Sequence, residues 1–243
     1  MAHKILVNGS AGRMGQAIIE CAPLKGIEVH GEVDQGIDPE SFISGCDAII
    51  DFSIHSITPK IVELAVKYRK PVVIGTTGHS EEEREWILAA TQKIPIVWAG
   101  NYSTGVNLLF YLTQKTAEVL QEGYDPEVIE MHHKHKVDAP SGTAARLLEV
   151  LQESFKLSDD EVKHGREGII GPRPVKEIGM HTLRGGDVVG DHTVIFAGDG
   201  ERIELTHKAS NRNIFANGSL DASKWVTSQK PGLYSMQDVL GLH

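Results

Sequence analysis

Ile5-Leu6-Val7, a short run of β-formers, passes at once into Asn8-Gly9-Ser10-Ala11-Gly12-Arg13-Met14-Gly15 and then into Gln16-Ala17-Ile18-Ile19-Glu20-Cys21, which reads as helix. Few local patterns restrict a fold as much as strand, glycine turn and helix in that order. The GxxGxxG spacing lets backbone wrap a pyrophosphate: Gly9 makes the tight turn, Gly12 lets the chain approach the phosphates, and Gly15 lets the helix pack close. The N–H groups at the helix start then meet the negative charge. Glycines alone are also compatible with a merely tight turn; the preceding strand is what favours a Rossmann-type dinucleotide site.

The alternation continues. Residues 28–34 read as a second strand, and Asp34 falls about 20 residues beyond the glycine turn, where a carboxylate accepts from ribose hydroxyls. The alternative is a solvated loop carboxylate. Gln35 stands where a basic side chain would pair a 2′-phosphate, so NADH is expected to serve at least as well as NADPH, with Arg13 as another cation in reach. Strands are predicted at 46–53, 71–78 and 95–102, with helices at 56–68 and 80–91. The near-continuous apolar strands fit a buried parallel sheet. The strands' carboxyl ends carry Asp51-Phe52-Ser53, Gly75-Thr76-Thr77 and Ala99-Gly100-Asn101-Tyr102. In a doubly wound sheet that edge receives ligand.

The second half changes character. A helix over 104–121 closes at Gly123, and a strand over 127–133 leads into Glu130-Met-His-His-Lys-His-Lys-Val-Asp-Ala-Pro-Ser-Gly-Thr-Ala144. A helix follows over 142–155, with Ala144, Leu147, Leu148, Leu151 and Phe155 on its buried face. His132 and His133 then leave a strand end, His135 and Lys136 lie on the loop, and Ser141-Gly142-Thr143 opens a helix whose N–H groups bind carboxylate or phosphate. Gly142 and Thr143 can hold one carboxylate, and Lys136 can meet it or a second. A metal site would want separated imidazoles with thiolate or acidic partners, and neither a nearby cysteine nor HExxH supplies them. A solvated basic loop is the other alternative, and His135 is the candidate for a purely structural histidine. Residues 166–174 read as a turn-rich excursion. Strands at 178–184, 190–197 and 201–208 join the earlier one in a four-stranded mixed sheet with one wet face, whose apolar residues suggest a homo-oligomer.

A helix at 213–226 and a segment at 236–240 are assigned back to the first domain. The expected architecture is therefore α/β: a doubly wound parallel sheet from 1–103 and 213–243, and a smaller α+β substrate and oligomerisation domain from 104–212. Two crossings make a hinge between them. The formal net charge of −9 disfavours nucleic-acid and anionic-membrane partners. No apolar run approaches the ~20 residues of a bilayer span. Two cysteines, Cys21 and Cys46, and a chain opening on a strand fit a reduced cytoplasm.

From Val7 to Leu240 the chain resembles the dihydrodipicolinate reductases, most specifically over the run from Glu130 to Ala144, with support from Gly9 to Gly15, Gly75-Thr-Thr-Gly78, Arg184-Gly-Gly-Asp-Val-Val-Gly190 with His192-Thr193, and Glu201 to Ser210. The resemblance implies reduction of 4-hydroxy-tetrahydrodipicolinate, a small cyclic imine dicarboxylate, by NADH and/or NADPH in the diaminopimelate route to lysine, by a homotetramer without a metal. By position it implies His132 as proton donor and acceptor, Lys136 as proton donor, and His133, Gly142 and Thr143 as substrate contacts. Cofactor contacts fall on Gly9, Ser10, Ala11, Gly12, Arg13, Met14, Asp34, Gly75, Thr76, Thr77, Ala99, Gly100, Asn101 and Tyr102, and on Arg212 and Phe215 at the domain junction. Many relatives are basic where Gln35 stands. Two other readings are another two-domain NAD(P)-dependent dehydrogenase, which an activated cysteine would favour, and a non-catalytic NAD(H) sensor, which would need a partner-binding element.

Overall fold

Strands that are apolar on both sides need cover on both sides, and the order of elements supplies it. A computed structural model describes residues 2–243. The chain runs β1 (His3–Asn8), α1 (Arg13–Cys21), β2 (Ile27–Val33), α2 (Glu40–Ile43), β3 (Ala48–Asp51), α3 (Thr58–Tyr68), β4 (Val72–Ile74), α4 (Glu81–Ala90) and β5 (Pro95–Trp98). It continues through α5 (Thr104–Val119), β6 (Tyr124–His132), α6 (Gly142–Phe155), β7 (Val162–His164), β8 (Ile178–Arg184), β9 (Gly190–Gly198) and β10 (Glu201–Ala209). It ends with α7 (Asn213–Val226), β11 (Gly232–Tyr234) and α8 (Met236–Leu240). These form two compact units, Met1–Thr104 with Arg212–His243, and Gly105–Asn211.

The first unit is a six-stranded parallel sheet in the order β11-β5-β4-β3-β1-β2. Ile5, Val7, Ile50 and Val97 point to one face, under Ile18 of α1, Leu220 of α7 and Met236 of α8. Leu6, Ile49, Ile74 and Ile96 point to the other, under Ile61 of α3 and Ile87 of α4. The α/β doubly wound class read from the sequence is the one observed. The sequence over 229–234 reads as a turn, yet Gly232–Tyr234 forms strand β11. Three residues after Pro231 give no periodicity to read, yet Leu233 registers against Ile96 of β5 and completes the sheet edge.

Glycine is required where β1 turns into α1. Gly9 has φ +81°, and a Cβ there would sit 2.4 Å from the Phe52 carbonyl oxygen. A Cβ on Gly15 would lie 2.2 Å from the Gly9 carbonyl oxygen, so α1 seats directly on the turn.

The second unit is a mixed sheet ordered β10-β9-β6-β8-β7, with β6 antiparallel to β9 and parallel to β8. One face carries Val128, Met180, Val194 and Phe196, packed with Leu109 of α5 and Leu147 and Leu151 of α6. Each fully buried leucine contributes about 1.5–3 kcal/mol. The sheet has five strands where four were expected. Strand β7 adds parallel to β8 and exposes Lys163 and His164, so it offers no apolar signal.

The 165–177 excursion is tied down by charge. On the sheet face opposite the helices, Glu127 of β6 accepts from Arg166 at 2.7 and 3.0 Å, from Arg173 at 3.0 Å and from His181 at 2.7 Å. Glu177 takes a further bond from Arg166 at 2.6 Å. Burial alone would raise the Glu127 carboxyl, but Arg166, His181 and Arg173 outweigh it and hold it down to about 2. Its cross-strand partner is Gly179, where a Cβ would stand 1.7 Å from the Glu127 carboxylate.

Gly15→Ala is expected to destabilise the first unit by about 1–3 kcal/mol through overpacking against backbone that cannot swing away. Urea unfolding followed by circular dichroism measures this, and an unchanged midpoint would contradict the close seating of α1.

Candidate active site

In the first unit, sheet topology reverses between β1 and β3, and ligands of doubly wound sheets bind where such a reversal opens a crevice at the strands' carboxyl ends. A cleft of about 770 Å³ lies there, lined by Gly9, Ala11, Gly12, Asp34, Gln35 and Phe52 among others. The N–H groups of Gly9 and Ser10 both donate to the Val33 carbonyl, and Ala11 N–H donates to the Asp34 carboxylate at 2.8 Å. Asp34 also accepts from the Gln35 N–H at 2.8 Å, and these two bonds hold its carboxyl below the usual range. The start of α1, by contrast, has Gly12 as N-cap with no side-chain cap and no acidic residue in its first turn, which suits an incoming anion. Arg13 and Met14 open that turn. Lys60 of α3 lines the same cleft as Gln35, a cation that no sequence motif singles out.

The other predicted cofactor loops follow β4 and β5. Asp51, fully buried at the end of β3, accepts from Asn8 at 2.7 Å, Ser53 at 2.6 Å, Thr58 at 2.6 Å and Thr76 at 3.1 Å. This carboxylate ties three strand ends and α3 together. A Cβ on Gly75 would lie 2.2 Å from the Phe52 ring, so that loop passes over the ring. Gly100 stands exposed at the β5 end with open space about it. Tyr102 turns inward: its hydroxyl donates to the Ile74 and Val97 carbonyls at 2.8 and 3.1 Å, so its side chain belongs to the core. Arg212 is the N-cap residue of α7 and Phe215 lies in its first turn. Neither these two nor the loops after β4 and β5 line the cleft.

In the second unit, the strand period brings chemistry together. Alternate residues of β6 face the helices, so Val128, Glu130 and His132 share the buried side. Register sets His132 opposite Arg184 of β8 and Glu130 opposite His192 of β9. Arg184 grips the buried Glu130 with two bonds, at 2.9 and 2.8 Å. The same carboxylate meets His132 Nδ1 at 2.6 Å and accepts the Ser141 N–H at 3.1 Å. Desolvation would raise Glu130, but Arg184, His132 and the Ser141 N–H together leave it lowered and ionised.

Ser141 caps α6 by accepting from the Ala144 N–H at 3.2 Å, and its hydroxyl meets His192 Nε2 at 3.0 Å. Gly142 and Thr143 form the first turn of α6, and Gly142 is exposed with nothing near the place of a Cβ. The histidine turn is pinned to the 185–188 segment: Gly185 N–H donates to the His132 carbonyl at 3.0 Å and His133 N–H to that of Val188 at 2.8 Å. Lys136 pairs with Asp138 at 2.8 Å, one side chain mostly covered and the other half exposed. His135 is exposed and its ring lies 6.2 Å from that of His133. A second cleft of this unit, about 690 Å³, is lined by Pro140, His164, Arg166 and His181 and includes none of the histidine turn. Among the described residues no group of three His, Cys, Asp or Glu side chains is placed to hold a metal.

Burial, and then the nearby His132, push His192 down to about 4. An unfolded histidine binds its proton near pH 6.5, so between pH 6.5 and 4 the unfolded chain takes up a proton that the folded one declines. The stability held above pH 6.5 therefore falls with pH across that window, by up to about 3 kcal/mol for this residue. Burial lowers His3, His79 and His207 too, adding to the same slope. Below about 4.5 the loss continues as Glu127 protonates towards 2. Urea midpoints are expected to fall from pH 7 to pH 4, less steeply in His192→Gln; a flat profile would contradict the buried neutral imidazole.

The family description "Dihydrodipicolinate reductase, N-terminus" matches residues 3–102, and "Dihydrodipicolinate reductase, C-terminus" matches residues 105–240. A 4-hydroxy-tetrahydrodipicolinate reductase of Akkermansia muciniphila is 56% identical over 240 residues, covering 98% of each chain. One from Magnetococcus marinus is 44% identical and covers 99% of each. Among solved structures, a dipicolinate-bound dihydrodipicolinate reductase from Paenisporosarcina sp. TG-14 superimposes with a TM-score of 0.83 at 23% identity, over 98% of this chain and 99% of that one. With both halves matched in order and relatives of such identity along nearly their full length, the chain belongs to the dihydrodipicolinate reductase family.

Proposed function

We infer that the protein reduces 4-hydroxy-tetrahydrodipicolinate to tetrahydrodipicolinate with NAD(P)H, in lysine biosynthesis by way of diaminopimelate. The observation that carries this reading is the joining, by one buried carboxylate, of an imidazole to a helix start: Glu130 bonds both His132 and the Ser141 N–H. The substrate is a ring with two carboxylates. Net reduction loses one water and adds one hydride and one proton to the ring.

The dinucleotide, when bound, supplies the hydride. Gly9, Gly12 and the uncapped start of α1 would hold its pyrophosphate, and Asp34, half-buried and ionised, would accept from the adenosine ribose. In the second unit the start of α6 offers Gly142 and Thr143 to one substrate carboxylate, and His133 is a further substrate contact. Lys136 meets a carboxylate by releasing Asp138 and is the further proton donor. His132 gives or takes the proton of the reduction, a role typically worth about 100-fold or more in rate. Gly190 leaves the far edge of that ring clear: a Cβ there would lie 2.8 Å from His132 Nε2.

The second unit also exposes apolar side chains, including Leu183, Ile203, Ile169 and Val175. These support self-association, and the family resemblance implies a homotetramer, which light scattering would report as four times the 26.5 kDa of the chain; any other mass would overturn it.

The direct assay follows absorbance of NADH and of NADPH with freshly generated hydroxytetrahydrodipicolinate. Oxidation is expected with NADH at least as fast as with NADPH, since Gln35 offers no charge to a 2′-phosphate; no oxidation with either would refute the function. His132→Gln and Lys136→Met are expected to lower kcat by about 100-fold or more with NADH affinity nearly intact. Wild-type turnover in both would remove them from the chemistry.

A further inference from the structure

We propose that Glu130 is the positioning residue of this enzyme: clamped by Arg184, it fixes His132 in the Nδ1–H tautomer and, through the Ser141 N–H, holds the start of α6 in register with that imidazole. The proposal rests on the reading of His132 and of the α6 start given above.

Glu130 is fully buried, and a carboxylate in that position persists only when its oxygens are satisfied. Four bonds do this, two to each oxygen. Oε1 takes Arg184 Nη2 at 2.8 Å and the Ser141 N–H at 3.1 Å; Oε2 takes Arg184 Nη1 at 2.9 Å and His132 Nδ1 at 2.6 Å. An ionised carboxylate only accepts, so every one of its neighbours must donate. His132 therefore carries its proton on Nδ1 when neutral, leaving the Nε2 lone pair on the edge that Gly190 keeps clear.

Arg184 is fixed in turn. It also donates to the Leu183 and Asp138 carbonyls, both at 2.7 Å, so its fork is held by strand end and loop alike. Asp138 is the residue whose carboxylate pairs with Lys136. One guanidinium thus supports the carboxylate behind His132 and the backbone next to Lys136. The neighbouring His192, edge-on to His132 at 5.1 Å between ring centroids, bonds Ser141 Oγ, so it braces the α6 cap from the other side.

Glu130→Gln separates this role from mere packing, because it keeps the shape and exchanges one acceptor for a donor. With the amide oxygen at the Oε1 site, the helix cap and one Arg184 bond survive, and the amide NH2 faces His132 Nδ1. The ring must then accept at Nδ1 and carry its proton on Nε2, the wrong tautomer for a base. The opposite amide orientation sets NH2 against both the Ser141 N–H and Arg184, two donor conflicts instead of one, and is disfavoured.

The test uses the full chain. In Glu130→Gln, kcat is expected to fall by about 100-fold or more with KM for the substrate changed less than about threefold, and Glu130→Asp, which keeps the charge, is expected to recover part of kcat. Nitrogen-15 NMR of histidine-labelled protein above neutral pH, with His132 assigned by its loss in His132→Gln, should find Nδ1 protonated in the wild type and Nε2 protonated in Glu130→Gln. A folded Glu130→Gln with wild-type kcat, or one that loses kcat with its Nδ1–H tautomer intact, overturns the proposal. Should the variant not fold, the wild-type spectrum decides alone: Nε2–H there refutes it. Because that spectrum needs no substrate, failure of the wild type to reduce hydroxytetrahydrodipicolinate would sink the functional reading separately.

Discussion

A carboxylate with no exposure to water is the constraint on which the second unit is built. Glu130 would be costly unpaired, by several kcal/mol for a desolvated charge, and the sheet is arranged so that this never arises. Parallel pairing of β6 with β8 delivers Arg184 beside His132, and antiparallel pairing with β9 delivers His192 beside Glu130. A one-residue slip of β8 would turn Arg184 to the opposite face, and one of β9 would take His192 away from Ser141. The ion pair therefore specifies register as well as local geometry.

The first unit solves a similar problem with neutral donors. Asp51 sits at the end of β3, equally buried, and takes its bonds from an amide and three hydroxyls on four chain segments. Glu130 answers to a guanidinium and an imidazole. Both carboxylates stand at or near strand ends, and both fix loops there. The difference lies in chemistry: side-chain hydroxyls and an amide hold position, whereas an imidazole bonded to a carboxylate also has its tautomer set.

Much of this was legible in the sequence because it obeys local rules. The glycine turn, the apolar strands of the first unit and the 142–155 helix have patterns that survive without tertiary context, and the fold class follows from them, while the family is carried by the resemblance of the run from Glu130 to Ala144. Strands β7 and β11 do not, since three residues at a sheet edge carry no period. Glu130 heads the histidine run, and its role is hidden in the sequence because a lone glutamate in a strand reads as solvent-facing. Its spacing of two from His132 was the available signal: on a strand, i and i+2 share a face. Arg184 had no such local signal, being 54 residues away and brought in only by register. Tyr102 shows the reverse case, a polar residue on a ligand-facing loop whose side chain is drawn into the core by two carbonyls. The residues of the histidine turn were nameable from the run itself, but not the bonds that orient them.

On the other face of β6, Glu127 rests where a side chain of Gly179 would be, and the guanidinium groups of Arg166 and Arg173 with the imidazole of His181 keep it from moving aside. The two positions are thus a lock whose halves cannot drift independently in evolution. A lineage that abandons the glutamate frees position 179 to become a β-branched strand residue, and one that keeps it must keep the glycine, whatever its cost to strand propensity.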